Sequence, residues 1–286
     1  ISAMSLNGIR GSLTPFDERI HRCKPHPGQL LVAANIRKIF SSEDEVLESH
    51  KNCDKVQDPY SFRCVPQVHG ATRDVLRFVK EKIEIELGSV TDNPLLFSRE
   101  DILSGGNFHG QAIAMAMDFL AISTAELGSI SERRLAVMIN SGMSEAPPFL
   151  VRNSGVNSGF MIPQVVSAAL VSENKVFCHP ASVDSIPTSA EKEDHVSMGP
   201  IACEKARKVN KNLEQILAIE LLASCQALDL LRPLRSNQAI EAIHAFVRQK
   251  SEFLDEDRSL SDDIMEVGKM IADGSLLNSL GDLNLS

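Results

Sequence analysis

Tyrosine occurs once in these 286 residues, at Tyr60, and the six cysteines form no C-x-x-C pair. Cys23, Cys53, Cys64, Cys178, Cys203 and Cys225 lack the close, regular spacing of zinc and redox motifs, so free thiols in a reducing, cytoplasmic setting are expected. Positive charge is the minority sign. Lys and Arg number 29 against 38 Asp and Glu, a net charge of −9, which argues against the basic face a nucleic-acid partner needs. No continuous apolar run approaches the ~20 residues that span a bilayer. No basic start leads into an apolar stretch either, so neither a membrane partner nor export is expected. His21 and His26 are five apart around Pro25, which keeps them off one helix face, and no metal is required. Alternating β-branched residues never persist, and there is no internal repeat or low-complexity linker.

What is present is helix. Val68, Ala71, Val75, Val79, Ile83 and Leu87 recur at three- and four-residue steps up to a stop near Gly88. A second long segment, about 107–140, is rich in alanine, and small residues let helices approach closely. A third runs from near Pro163 to Lys175, with proline in its first turn. The longest spans Pro200 to about Leu231, where Val209, Leu213, Ile216, Leu217, Glu220 and Leu221 make it apolar over more than one stripe. Such a helix belongs in the middle of a bundle. Two shorter amphipathic helices follow, at 237–249 and 262–272, the second with Ser261 as its expected N-cap. The expectation is an all-α, long-helix bundle forming one domain over 1–286, with a central bundle to about 232 and shorter helices over 236–286. The opening Ile1-Ser2-Ala3-Met4-Ser5-Leu6 has no capping signal and reads as entry partway along a helix, as in a truncated or processed product.

The chemistry concentrates in loops. Gln57 to Cys64 brings an amide, a phenol and a guanidinium onto one short segment that Pro59 keeps from being a continuous helix. Tyr60 and Arg63 either face something outside the loop or satisfy each other. Ser104 to Gly110 has glycines but neither G-x-G-x-x-G nor a P-loop pattern, and reads as a glycine turn capped by Asn107. Pro147 to Val151 connects two helices. Ser185 to Pro200 gathers Glu193, Asp194 and His195 just before the longest helix. There a carboxylate can act as a base or pair with a cation, or the run is a solvated helix start.

Taken together, four of these stretches resemble the histidine ammonia-lyases, within the aromatic amino acid lyases. They are Gln57-Asp58-Pro59-Tyr60-Ser61-Phe62-Arg63-Cys64, Ser104-Gly105-Gly106-Asn107-Phe108-His109, Pro147-Pro148-Phe149-Leu150-Val151 and Ala190-Glu191-Lys192-Glu193-Asp194-His195-Val196-Ser197-Met198. They stand in the family's order and spacing, and the resemblance runs from Gly11-Ser12 to about Arg232.

The resemblance implies removal of ammonia from L-histidine to give trans-urocanate. The electrophile would be a methylidene-imidazolone made from an Ala-Ser-Gly tripeptide, on a homotetramer of long helices with sites shared between subunits. It implies Tyr60 in the active site and Arg63 on the substrate carboxylate. Gln57 would hydrogen-bond nearby, Phe108 would pack beside the electrophile, and Glu193 would sit on the imidazole or take the β-proton. A carboxylate at Glu193, where relatives acting on phenylalanine or tyrosine typically carry glutamine, favours histidine. No Ala-Ser-Gly occurs in the chain. The expectation is therefore the C-terminal portion of a histidine ammonia-lyase, inactive alone. Phenylalanine or tyrosine lyase or aminomutase activity, and a non-catalytic oligomerisation scaffold, are the alternatives. The Gly-Ser-Ser-x-Met-Pro loop of the aspartase–fumarase group, which has a similar helical build, is absent.

Overall fold

The computed structural model describes residues 1–281 together with Leu283 and Leu285. The chain enters through α1 (Ser2–Gly8) and continues through α2 (Glu18–Arg22), α3 (Pro27–Ile39) and the single turns α4 (Glu45–Glu48) and α5 (Tyr60–Arg63). Then come α6 (Val65–Leu87), a two-residue hairpin of β1 (Leu95–Leu96) with β2 (Ile102–Leu103), and α7 (Gln111–Met138). After α8 (Ser141–Ser144) and α9 (Met161–Phe177), α10 (Gly199–Leu230) crosses the molecule. The chain closes with α11 (Gln238–Arg248), α12 (Ser261–Ala272) and α13 (Ser275–Asn278).

The all-α expectation holds, and the bundle forms around α10. This helix packs on α1, α7, α9, α11 and α12, and every residue from Ala218 to Leu228 is buried. The apolar surround that marked this helix in the sequence is this enclosed half. Polar groups inside it are matched: Gln226 donates to the carbonyls of Leu150 and Leu254 and accepts from the Leu254 N–H. The Pro147–Val151 connection is thereby tied to the core, with Leu150 and Val151 fully buried.

Helix α3 is not among the helices read from the sequence, although Val32, Ala33 and Ile36 are buried at helical spacing, and its close approach to α6 adds a contact of glycines. A Cβ on Gly28 would lie 2.1 Å from the Gly70 carbonyl oxygen, and one on Gly70 would lie 2.4 Å from the Gln29 nitrogen. The two backbones touch, and only glycine permits it.

Three local expectations change. Ser261 opens α12 rather than capping it, with Leu260 at the N-cap position. Asn107 does not cap α7: Gly110 does, and the Asn107 amide reaches the Val90 carbonyl at 3.5 Å. Finally, α7 is long and apolar enough by length and composition to cross a membrane. It packs against α1, α5, α6, α9 and α10, however, and buries Asp118, Glu132 and Arg134 along its length, as a core helix does.

Candidate active site

The two ends of α7 carry the two groups of site residues. At the C-terminal half lies α5. Its four residues follow Pro59, which makes no side-chain cap, and Cys64 breaks it from α6 with non-helical backbone. Asp58, nearly buried, accepts the Ser12 N–H at 2.7 Å and so holds the approach to this turn. Phe62 is the buried anchor. Tyr60 is 70% exposed, and the Arg63 guanidinium carbon lies 4.4 Å from the centre of its ring, a cation–π stack. The phenol and guanidinium thus do satisfy each other in part.

They do not satisfy each other fully. Arg63, Gln57 and Gln67 line a cavity of about 1190 Å³ that also takes in Arg10, His50 and Lys55. Within its wall the Arg63 Nε donor and the Gln67 Oε1 acceptor are buried without a hydrogen-bond partner. A second cavity of about 630 Å³ lies between Tyr60 and the α7 residues Ser129, Ile130 and Arg133. The turn borders both spaces: Cys64 lines each, Arg63 the first and Tyr60 the second.

Phe108 and Glu193 lie at the opposite end, where α7 begins. Phe108 is exposed just ahead of the Gly110 cap. The loop that carries Glu193 is fastened there from its base upward. Ser182 donates its N–H to Asp118 at 2.7 Å, the Gln111 amide donates to the Ser182 carbonyl at 2.9 Å, and the Val196 N–H reaches the Ser185 hydroxyl at 2.9 Å. Burial pushes the Asp118 carboxyl up, but the Ser182 and Ala181 backbone donors and Lys205 outweigh it and hold it below its ordinary value. Thr188 and Glu193 form an isolated antiparallel bridge, and the Thr188 hydroxyl donates to Glu193 Oε2 at 2.5 Å. Between them Ser189, Ala190 and Glu191 all take positive φ (52°, 53° and 65°), a conformation that costs non-glycine residues. His109 and His195 stack with ring centres 5.7 Å apart, joining the Phe108 loop to the Glu193 loop.

Along α7, nineteen residues separate Gln111, beside Phe108, from Ile130, beside Tyr60. At about 1.5 Å per residue that is roughly 28 Å. One chain therefore brings Tyr60, Arg63 and Gln57 together, and Phe108 and Glu193 together, but not the two groups with each other.

Sequence reasoning missed the interior polar cluster behind α5. The Arg134 guanidinium grips Glu220 with two bonds, Nε to Oε1 at 2.5 Å and Nη2 to Oε2 at 2.8 Å, and both side chains are buried. The hydroxyls of Ser5 and Ser131 donate to the same carboxylate. Burial pushes Glu220 up, but the Arg134 charge and these donors outweigh it and leave it below its ordinary value. His69 contacts Arg134 at 3.3 Å, and burial together with that positive charge lowers its pKa to about 3, so the ring is neutral. Among the described residues, no three His, Cys, Asp or Glu side chains converge as metal ligands would.

The long-helix bundle, with polar motifs at the two ends of α7, has the ammonia-lyase class of fold, as a solved structure of that class shows. The aromatic amino acid lyase model matches residues 1–249, further along than the motifs alone carry the resemblance. The chain is 52% identical over 276 residues to a histidine ammonia-lyase of Myxococcus xanthus, covering 96% of this chain and 54% of that protein. It is 50% identical over 280 residues to a histidine ammonia-lyase of Caenorhabditis elegans, covering 96% of this chain and 41% of that one. Among solved structures, a histidine ammonia-lyase from Trypanosoma cruzi superposes with a TM-score of 0.90 at 46% identity, over 99% of this chain and 53% of that chain. A tyrosine aminomutase from Streptomyces globisporus superposes at 0.92 with 36% identity, over 100% and 59%. The chain belongs to the aromatic amino acid lyase family, and it spans about half the length of the curated relatives it matches.

Proposed function

We propose that this chain is the C-terminal portion of a histidine ammonia-lyase, a carbon–nitrogen lyase that converts L-histidine to trans-urocanate. The observation that carries this reading is the identity of half its residues to proteins named histidine ammonia-lyase along nearly its whole length. Glu193 supports the substrate choice, since a carboxylate suits an imidazole that donates or carries a proton.

The residues take roles that their surroundings support. Arg63, with a free Nε donor on the cavity wall, binds the substrate carboxylate, and Gln57 hydrogen-bonds beside it. Gln67 offers an unpartnered acceptor in the same wall, suited to the α-ammonium group. Tyr60, exposed and steadied by the Arg63 stack, orients the substrate or the electrophile. Phe108 packs beside the electrophile. Glu193 contacts the imidazole or removes the β-proton. With no Ala-Ser-Gly in the chain, the residues present do not supply the methylidene-imidazolone. Its source would lie upstream in the whole protein, and the 286 residues alone would be inactive.

The separation along α7 supports a homo-oligomer, a tetramer in the whole protein, in which Tyr60 and Arg63 of one copy meet Phe108 and Glu193 of another. In this reading residues 1–286 act as one helical domain of a cytoplasmic enzyme, with neither a nucleic acid nor a membrane as partner.

The match in shape to a tyrosine aminomutase favours one second reading, an aromatic amino acid substrate. The test is to produce the complete open reading frame containing this chain and supply L-histidine, L-phenylalanine and L-tyrosine separately. Urocanate from histidine alone supports the proposal, and Glu193→Gln should then reduce that activity. Conversion of tyrosine or phenylalanine in preference establishes the second reading. An oligomer that turns over none of them leaves a scaffold role. Turnover by the purified 286-residue chain would show that the electrophile need not come from upstream.

A further inference from the structure

The turn α5 presents the phenol and the guanidinium, yet nothing within it fixes its direction. Four residues are too few to hold a helix by themselves. The turn has no side-chain cap at Pro59 and kinks from α6 at Cys64, whose N–H bonds back to the Tyr60 carbonyl and whose carbonyl accepts the Val68 N–H, so tertiary contacts add to what sets its orientation. Two stand out. Phe62 is 1% exposed and anchors the apolar side. On the polar side stands Arg134, projecting from α7. Glu220 occupies its Nε and Nη2, and the remaining nitrogen, Nη1, points to the Ser61 carbonyl at 3.4 Å and to His69 Nε2 at 3.3 Å. Ser61 lies in α5, directly after Tyr60, and His69 lies in the first turns of α6. One guanidinium nitrogen therefore spans the Cys64 break.

We propose that Arg134, aimed by Glu220, is a positioning residue that sets the angle between α5 and α6, and so the direction in which Tyr60 and Arg63 are presented. A buried ion pair is a poor way to gain stability, because two charges must leave water and an apolar pair of similar volume often serves as well. Its distinctive product is geometry. A bidentate carboxylate fixes the guanidinium plane, and the fixed plane directs the third nitrogen. Neutral His69 suits this arrangement, since its ring nitrogen can accept from Nη1 whereas a charged ring would repel it. The bearing of this device on catalysis rests on the lyase reading. The device itself does not.

The composition supplies a direct probe: with one tyrosine and no tryptophan, ultraviolet fluorescence of the 286-residue chain reports Tyr60 alone. The double variant Arg134→Met with Glu220→Leu removes both charges and keeps an apolar interior. Arg134→Lys keeps the charge beside Glu220 but lacks the fork that reaches Ser61. In either folded variant, Tyr60 fluorescence anisotropy should fall. Hydrogen-exchange protection of the 61–64 amides should drop about tenfold, as for loss of one charge-assisted bond, while protection in α10 is retained. Wild-type anisotropy and protection in a folded variant overturn the proposal, and Arg134→Lys decides the matter where the double variant does not fold. The lyase reading stands or falls separately, on urocanate formation by the complete wild-type protein.

Discussion

Arg63 and Gln67 put a free N–H and a free carbonyl oxygen on one cavity wall, the complement of an amino acid's carboxylate and ammonium. In the complete protein, Arg63→Ala should raise KM for the amino acid about ten- to a hundredfold, as expected for a lost bond to a charged group. Arg63→Lys should recover only part, because an ammonium cannot form the planar fork. Unchanged KM in both variants would remove Arg63 from the substrate site. His69 yields a pH prediction. Its folded pKa of about 3 lies below the ordinary 6.5, so its contribution to stability is complete above pH 6.5 and is lost as pH falls toward 3. Glu220, also lowered, acts in the same direction. The urea midpoint should therefore fall as pH is lowered from neutrality, and His69→Gln, which keeps an acceptor for Arg134, should flatten that fall. Tyr60, Arg63 and Glu193 were legible because each lies in a continuous motif. Arg134 and Glu220 were not, since they meet across 86 positions and a helical pattern shows an arginine on one helix without its partner on another.

Helices α6, α7, α9, α10, α11 and α12 could be read from the sequence to within a few residues, because each carries apolar residues at helical spacing over several turns. Their termini were less secure. Whether Ser261 caps or opens α12 turns on one residue's backbone angles, not on its identity. Helix α3 buries Val32, Ala33 and Ile36 at helical spacing, but the backbone contact at Gly28 and Gly70 that brings it close to α6 is not visible in an apolar pattern. Gly70→Ala should accordingly destabilise the fold by about 1–3 kcal/mol, the usual cost of overpacking, as measured by urea unfolding. Normal stability in that variant would show that the two helices can part without penalty. The loop before α10 behaves differently. Its residues at positive φ gave no signal, because Ser189, Ala190 and Glu191 are not types that announce a left-handed backbone.

The length of α7 governs the whole molecule. It stations Tyr60 and Arg63 about 28 Å by helix rise from Phe108 and Glu193, too far for one amino acid to bridge. Exposed apolar side chains on the long helices, among them Phe78, Phe119, Ile122 and Val176, are available to bury against further copies. If sites form between copies, co-producing full-length Tyr60→Phe and Glu193→Gln variants should restore activity above that of either alone, because some sites then receive an intact residue from each. No recovery in a mixed oligomer would place both residues on one chain's site. Sequence alone determined the helical class, the order of the long helices and the family motifs, since these depend on local periodicity and continuous residue strings. Tertiary structure decided which motifs share a space, which glycines allow helices to touch and which buried charges meet, since each depends on distances between residues far apart along the chain.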